Sequence, residues 1–278
     1  TDPSGDLHRL WVVLAGALCN DLRGALADRP LYIADGHHRY ETALHYRDLR
    51  READGEGATP DAAYNFVLMA LTSMSDQGLL ALPYYRVLRG IDQRSLLRLP
   101  AALQQDFAVQ EIEIGQDAPE AMFQRYEAAI APLRRGRQIP GLHGPGRQVI
   151  GLYAFGGDRV LALTVRDDAP VLRAGGHSLA WRSLGPCLFQ TGVMEPLLGL
   201  SEEEAQKRGL IDYLKAGVEA VRRVLQGDDG LAVLLDPVPM PLLKAVADAR
   251  DRLPPKSTYF YPKLPTGLVF NPLDGVLG

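Results

Sequence analysis

The chain has 278 residues, a formal net charge of −4 and a hydrophobic fraction of 46%. That supports a sizeable core in one large domain or two smaller ones. Its basic residues form nothing longer than a local pair such as Arg134-Arg135, which excludes duplex nucleic acid as a main partner. No apolar stretch reaches the roughly 20 residues of a bilayer span.

The opening at Thr1, without a methionine, reads as the trimmed start of a fragment, and no signal peptide is expected there. Two distant cysteines, Cys19 and Cys187, form neither a disulfide framework nor a zinc pattern. They are expected to be buried or partly buried thiols in a reducing cytoplasm.

In chain order, "HRLWVVLAG" predicts a strand over Leu10 to Leu14, "ALCNDLRGALADR" a short helix and "PLYIA" a buried strand ending near Ile33. A helix follows from about His37 to Ala53, with Tyr40, Ala43, Leu44 and Arg47 on one side. "DGEGATPD" is a loop by its glycines and proline. "NFVLMALTSM" predicts a central strand buried on both faces, with a helix as the alternative. Asn65 within it needs a hydrogen-bond partner if buried.

From about Gly90 the pattern changes. "QRSLLRLPAALQQDF" and "APEAMFQRYEAAIAPLRRG" predict amphipathic helices around the strand "AVQEIEI". "QVIGLYAF" and "RVLALTV" flank Gly156-Gly157-Asp158, a hairpin signature. "PCLFQTGVMEPLLGL" and "LIDYLKAGVEAVRRVLQ" predict helices, "LAVLLD" a strand and "MPLLKAVADAR" a helix. "LPPKSTYFYPKLPTGLVFN" predicts two short β-rich runs. The class is α/β or α+β with a mixed sheet. The domains are expected at 1–89 (phosphate-binding core), 90–173 (α+β subdomain) and 174–278 (helical, with a β-rich C-terminal segment packing back on the core).

The stretch Asp35-Gly36-His37-His38-Arg39 carries the most chemistry. A strand running through Asp-Gly into a helix exposes first-turn N–H groups, with the helix dipole adding partial positive charge. Such a terminus is an anion site. Gly36 permits a tight turn and close ligand approach. Arg39 can fork onto phosphate oxygens, and His37 and His38 add donors. Asp35 can cap the helix or hold a magnesium ion. A competing reading puts His37, Glu41 and His45 on one helical stripe as zinc ligands of a metal-dependent hydrolase.

"PPKSTYFYPK" is the second constellation. Lys256, Ser257 and Thr258 give a cation and two hydroxyls, and Lys263 follows Pro262. A lysine beside hydroxyls suits phosphate binding, although no glycine-rich cradle accompanies it. Tyr259 and Tyr261 share one strand face, with Phe260 opposite. Thr72, Ser73, Ser75 and Asp76, at the expected strand end, are weaker candidates.

"ADGHHRYETAL" resembles the GxHR-type turn of the ParB/sulfiredoxin superfamily. Comparable turns there bind ATP phosphates in sulfiredoxin, an adenine nucleotide in free serine kinase and CTP in ParB-like proteins. Three stretches together are similar to the domain of unknown function 1015 family: Ile33 to Ala43, the apolar run Ala63 to Asp76, and Pro254 to Val269. The resemblance implies that Gly36, His37, His38 and Arg39 line a phosphate site with Asp35 beside them. His37 stands where sulfiredoxin has its cysteine, which argues against sulfinic-acid repair, a thiolate reaction. DNA-binding helices of the ParB kind are not evident. The resemblance also implies a further N-terminal region bearing a catalytic acid, to which no residue here is matched.

The expected function is phosphoryl transfer from a nucleotide (ATP or ADP, with pyrophosphate a further candidate) and Mg2+ to a small hydroxyl metabolite such as free serine. Arg39 and the turn's N–H groups would neutralise phosphate, with Lys256, Ser257, Thr258 and Lys263 assisting. His37, His38 and Asp35 would supply acid, base or metal-binding groups. A non-catalytic nucleotide-binding module is the alternative from another class.

Overall fold

"QVIGLYAF" and "RVLALTV" are short, nearly continuous apolar runs, and they pair. A computed structural model describes residues 5–14, 16–136, 138–142, 146–154, 157–227 and 230–276. Of the predicted turn Gly156-Gly157-Asp158, Gly156 lies outside these, and its two flanks, Val149–Ala154 and Arg159–Val165, are antiparallel neighbours. The strands in chain order are β1 (Leu80–Leu82), β2 (Tyr85–Leu88), β3 (Phe107–Glu113), β4 (Val149–Ala154), β5 (Arg159–Val165), β6 (Ile211–Leu214), β7 (Leu231–Leu235) and β8 (Tyr259–Tyr261). The chain divides into two compact units, one of Leu80–Tyr261 and one of Thr1–Leu79 with Pro262–Gly278.

In the unit Leu80–Tyr261, six strands form one sheet in the order β3-β5-β4-β7-β2-β6. Every pairing in it is antiparallel, so the α+β class holds and the sheet is not mixed. Strands from 85–88, 107–165 and 211–235 share it, so the expected boundaries at 89/90 and 173/174 fall inside one unit. β1 and β8 form a separate antiparallel pair.

Successive side chains on a strand point to opposite faces, and here both faces are covered. On one face Leu88, Ile150, Leu152, Leu163, Leu231 and Val233 pack with α3 (Gln93–Leu103) and the helical stretch 185–198. On the other, Val87, Val149, Tyr153, Ala162, Ala232 and Leu234 pack with α4 (Pro119–Arg134) and the helix Gly217–Leu225. That is why "LAVLL" carries no polar residue: all five positions are buried. Close packing is visible at Gly151, where an added Cβ would lie 2.4 Å from Tyr126 Oη. Asp92 starts α3 by accepting from Ser95 N at 3.0 Å, an N-cap.

One helix prediction needs correction. "LIDYLKAGVEAVRRVLQ" begins as β6, in register with β2 (Tyr85 opposite Leu214), and turns helical only at Gly217. A pairing more than a hundred residues distant overrides local helical periodicity there.

The other unit contains α1 (Gly16–Leu26) and α2 (His37–Asp54). Both helices fall where the sequence predicts them. The strands expected at Leu10–Leu14, at 30–34 and at 65–74 do not form, and nor does a strand within Thr266–Asn271. A strand exists only when another backbone pairs with it, and the described residues of this unit offer one isolated bridge, Ala62 to Val276. Among them only Ala62, Ala63 and Tyr64 are buried, while Trp11, Val12, Leu14, Ile33, Leu68 and Phe270 are exposed.

Among the described residues no helix is long and apolar enough to cross a membrane. Both cysteines are free thiols, Cys187 buried and Cys19 partly so. Burial pushes the Cys187 thiol well up from its ordinary value.

Candidate functional site

Gly36 stands at the start of α2 with φ 82° and ψ 24°, in the left-handed region. An L side chain is disfavoured there. A Cβ at this position would also meet the Arg39 guanidinium at 2.7 Å. The backbone angle is what calls for glycine; the exposed Arg39 side chain, folded back over it, could swing away from a Cβ. The Gly36 carbonyl accepts from Tyr40 N at 3.0 Å and closes the first helical bond. No side chain caps the helix. The N–H groups of His37, His38 and Arg39 make no hydrogen bond among the described residues.

Asp35 does not cap α2. Its Oδ1 accepts from the N–H of Gly36 at 2.9 Å. Its Oδ2 accepts from Lys263 Nζ at 2.8 Å and lies 3.7 Å from Arg39 Nη2. Partial burial pushes the Asp35 carboxyl up. The bond and charge of Lys263, the Gly36 N–H and the charge of Arg39 outweigh it, and the group sits below its ordinary value. These groups are about half exposed, so the pair is a positioning contact more than a source of stability.

His37 and His38 lie face to tilted face, ring centroids 4.3 Å apart. His38 Nδ1 is 3.5 Å from Glu41 Oε2, and the His38 carbonyl accepts from Thr42 Oγ1 at 2.8 Å. Among the described residues no group of three or more His, Cys, Asp or Glu is placed to hold a metal ion, so the stripe His37, Glu41, His45 does not form the expected zinc set. Magnesium at Asp35 fares no better. Both carboxylate oxygens already accept from donors, and a dication would sit against Lys263 and Arg39. The residues present do not fit a magnesium ion held by Asp35.

The structure thus brings Lys263 to the turn. Lys256, Ser257 and Thr258 belong to the other unit. Ser257 is buried, with its Oγ donating to the Pro254 carbonyl at 2.7 Å. Lys256 extends over the Tyr84 ring, 5.5 Å from its centroid. Phe260 is buried and Tyr259 and Tyr261 are half-buried, the alternation the sequence predicts.

Asn65 finds partners outside any strand. It donates to the Thr59 carbonyl at 2.8 Å and accepts from Arg51 Nε at 2.9 Å. Ser73, Ser75 and Asp76 build a turn among themselves, with Asp76 Oδ1 accepting from Gly78 N.

An uncapped helix start, an arginine and a lysine distant in sequence thus meet at the Asp35–Arg39 turn. The particular family follows from comparison. The family model described as protein of unknown function (DUF1015) matches residues 1–185, and the chain belongs to that family. No curated protein matches the chain. Among solved structures, a conserved hypothetical protein from Pyrococcus furiosus is 15% identical, covering 84% of this chain and 71% of that one, with TM-score 0.40. A free serine kinase in complex with AMP is 13% identical, covering 89% and 81%, with TM-score 0.39. A variant of that kinase in complex with ADP is 15% identical, covering 88% and 78%, with TM-score 0.38.

Proposed function

We propose that the chain binds a nucleotide by its phosphates at the Asp35–Arg39 turn and transfers a phosphoryl group to a small hydroxyl metabolite such as free serine. One observation carries this reading: three unpaired first-turn N–H groups, of His37, His38 and Arg39, beside the cations of Arg39 and Lys263. Such donors suit phosphate, and the helix dipole adds to their effect. The ParB/sulfiredoxin-like character of the turn, resting on the resemblance of "ADGHHRYETAL", supports the nucleotide as the source of that phosphate.

Phosphoryl transfer asks for positioning and charge neutralisation more than covalent work. The acceptor oxygen forms a bond to the terminal phosphorus as the bridging oxygen leaves with its electron pair. Arg39, Lys263 and the N–H groups hold the charge on the phosphate oxygens. The acceptor's proton passes to an imidazole of His37 or His38, the latter with its Nδ1 3.5 Å from Glu41 Oε2. Asp35 acts as a positioning residue for Lys263 and Arg39. No step is assigned to a metal, because the donors around Asp35 do not fit one.

The test combines binding and turnover. Calorimetric titration of the purified chain with ATP, ADP and pyrophosphate should show binding. Incubation with ATP or ADP and serine should give phosphoserine, read by 31P NMR. Binding without any new phosphomonoester would make the chain a non-catalytic nucleotide-binding module. No binding of any of the three ligands would overturn the phosphate reading.

A further inference from the structure

A second set of cations lies among residues of the unit Leu80–Tyr261. In the unit Leu80–Tyr261, Tyr84 meets Tyr259 edge-on with centroids 5.7 Å apart, and Tyr213 with centroids 6.5 Å apart. Each of the three rings carries a cation. Lys256 Nζ lies 5.5 Å from the Tyr84 centroid, Lys215 Nζ 4.5 Å from that of Tyr259, and Arg86 Cζ 5.5 Å from that of Tyr213. The lysines come from separate places in the chain. Lys215 directly follows β6, and Lys256 precedes β8 by three residues.

The charges of this cluster do not balance. Its one carboxylate is Glu202, which accepts from Tyr213 Oη at 2.5 Å and stands 3.9 Å from Arg86 Nη2. Arg86 is 2% exposed, and its Nη1 donates to the Tyr84 carbonyl at a long 3.5 Å. Among the described residues neither Lys215 nor Lys256 has a carboxylate within ion-pair range. Cation–π contact is weak compensation for an exposed ammonium. Buried Arg86 has Glu202 for its counter-charge, so the two exposed lysines add two positive charges that no carboxylate of the cluster balances.

The backbone contributes a further sign. Lys256 has φ 53°, one of two non-glycine residues with positive φ among those described. Pro254 and Pro255 lead into it, and Ser257 Oγ locks the turn onto the Pro254 carbonyl. A strained conformation that surroundings hold in place commonly serves a site. Here it holds the Lys256 ammonium over Tyr84. The Tyr84 hydroxyl makes no hydrogen bond among the described residues and adds a donor.

We infer that Lys215, Lys256 and the Tyr84 hydroxyl form a second anion site, with Arg86 behind it, that takes a phosphate group. Two ammonium groups and a phenol suit a tetrahedral dianion, either inorganic phosphate or a phosphomonoester. The site rests on its own geometry and stands whether or not the turn binds nucleotide.

The probe is inorganic phosphate, titrated calorimetrically into the full chain carrying Arg39→Ala to weaken the turn. A binding event should remain. Adding Lys215→Gln and Lys256→Gln should weaken it at least about tenfold, the loss of one good charge-assisted contact. Lys215→Arg with Lys256→Arg should retain it, since charge is kept, and this variant answers for any loss caused by misfolding. Two outcomes would overturn the site: no phosphate binding in the Arg39→Ala chain, or unchanged affinity in the double glutamine variant. Failure of the turn reading looks different, as Arg39→Ala would then leave ATP affinity untouched.

Discussion

Lys263 Nζ lies 2.8 Å from Asp35 Oδ2, although 228 positions separate the two residues in the chain. The contact ties the C-terminal "PKLPTG" stretch to the Asp35–Arg39 turn. It also makes the Asp35 carboxylate an internal anion, bound by donors that a phosphate would use.

The pair sets a titration. The Asp35 carboxyl lies below its ordinary 3.8 in the folded chain. A depressed carboxyl contributes stability that is present above its unfolded value and is lost as pH falls through the folded one. The Asp35 side-chain carboxyl, followed by 13C NMR, should therefore titrate with a midpoint under 3.8. Lys263→Met should move it upward. A midpoint at or above 3.8 in the unmodified chain would mean that the ion pair does not persist in solution.

Arg39→Ala should weaken ATP, ADP, CTP and pyrophosphate alike. One charge-assisted contact is worth about 1.5–3 kcal/mol, roughly a tenfold to hundredfold rise in Kd. Arg39→Lys should recover part of this, because an ammonium lacks the planar fork. Equal calorimetric affinities for the variant and the unmodified chain would remove Arg39 from the site.

Gly36→Ala tests the turn itself. The left-handed backbone costs an alanine about 1–2 kcal/mol, and its Cβ would displace the Arg39 guanidinium. Affinity for pyrophosphate should fall with little change in the melting of the sheet. The two readouts are calorimetry and near-UV circular dichroism, which follows packed aromatic side chains.

Tyr126 Oη is buried without a hydrogen-bond partner among the described residues. Tyr126→Phe should be neutral or stabilising by up to about 1 kcal/mol, since no bond is lost and a desolvated hydroxyl is removed. Gly151→Ala should cost about 1–3 kcal/mol by overpacking against the same ring. Urea denaturation gives both values. A loss above that range for Tyr126→Phe would reveal a hydrogen bond to a bound water.

Helix α2 was legible because its signals are local: a glycine able to turn left-handed, then donors and an arginine within one turn. The paired strands at 149–154 and 159–165 were legible because both partners and their spacing lie side by side in the chain. The runs at 10–14, 30–34 and 65–74 have the composition of strands, yet composition reports readiness to pair and not the presence of a partner. β6 was hidden for the opposite reason, its partner β2 lying far upstream. Lys263 was picked out by its neighbours and Asp35 by its turn. Lys215, Tyr84, Tyr213 and Arg86 carry no local motif, and only the folded chain brings them together.

The shallow burial of residues 5–79 bears on how the turn behaves under load. A segment that hides few apolar side chains exposes little new surface when it opens, so it adds little to the denaturant m-value. Its opening free energy sits at the low end of the molecule's range. A ligand that binds only the closed turn then becomes a main source of its order, in proportion to occupancy. Amide hydrogen exchange in α2 should slow as phosphate or nucleotide is added, while exchange in β4 and β7 stays constant. The turn would hold its shape most firmly while it holds a ligand.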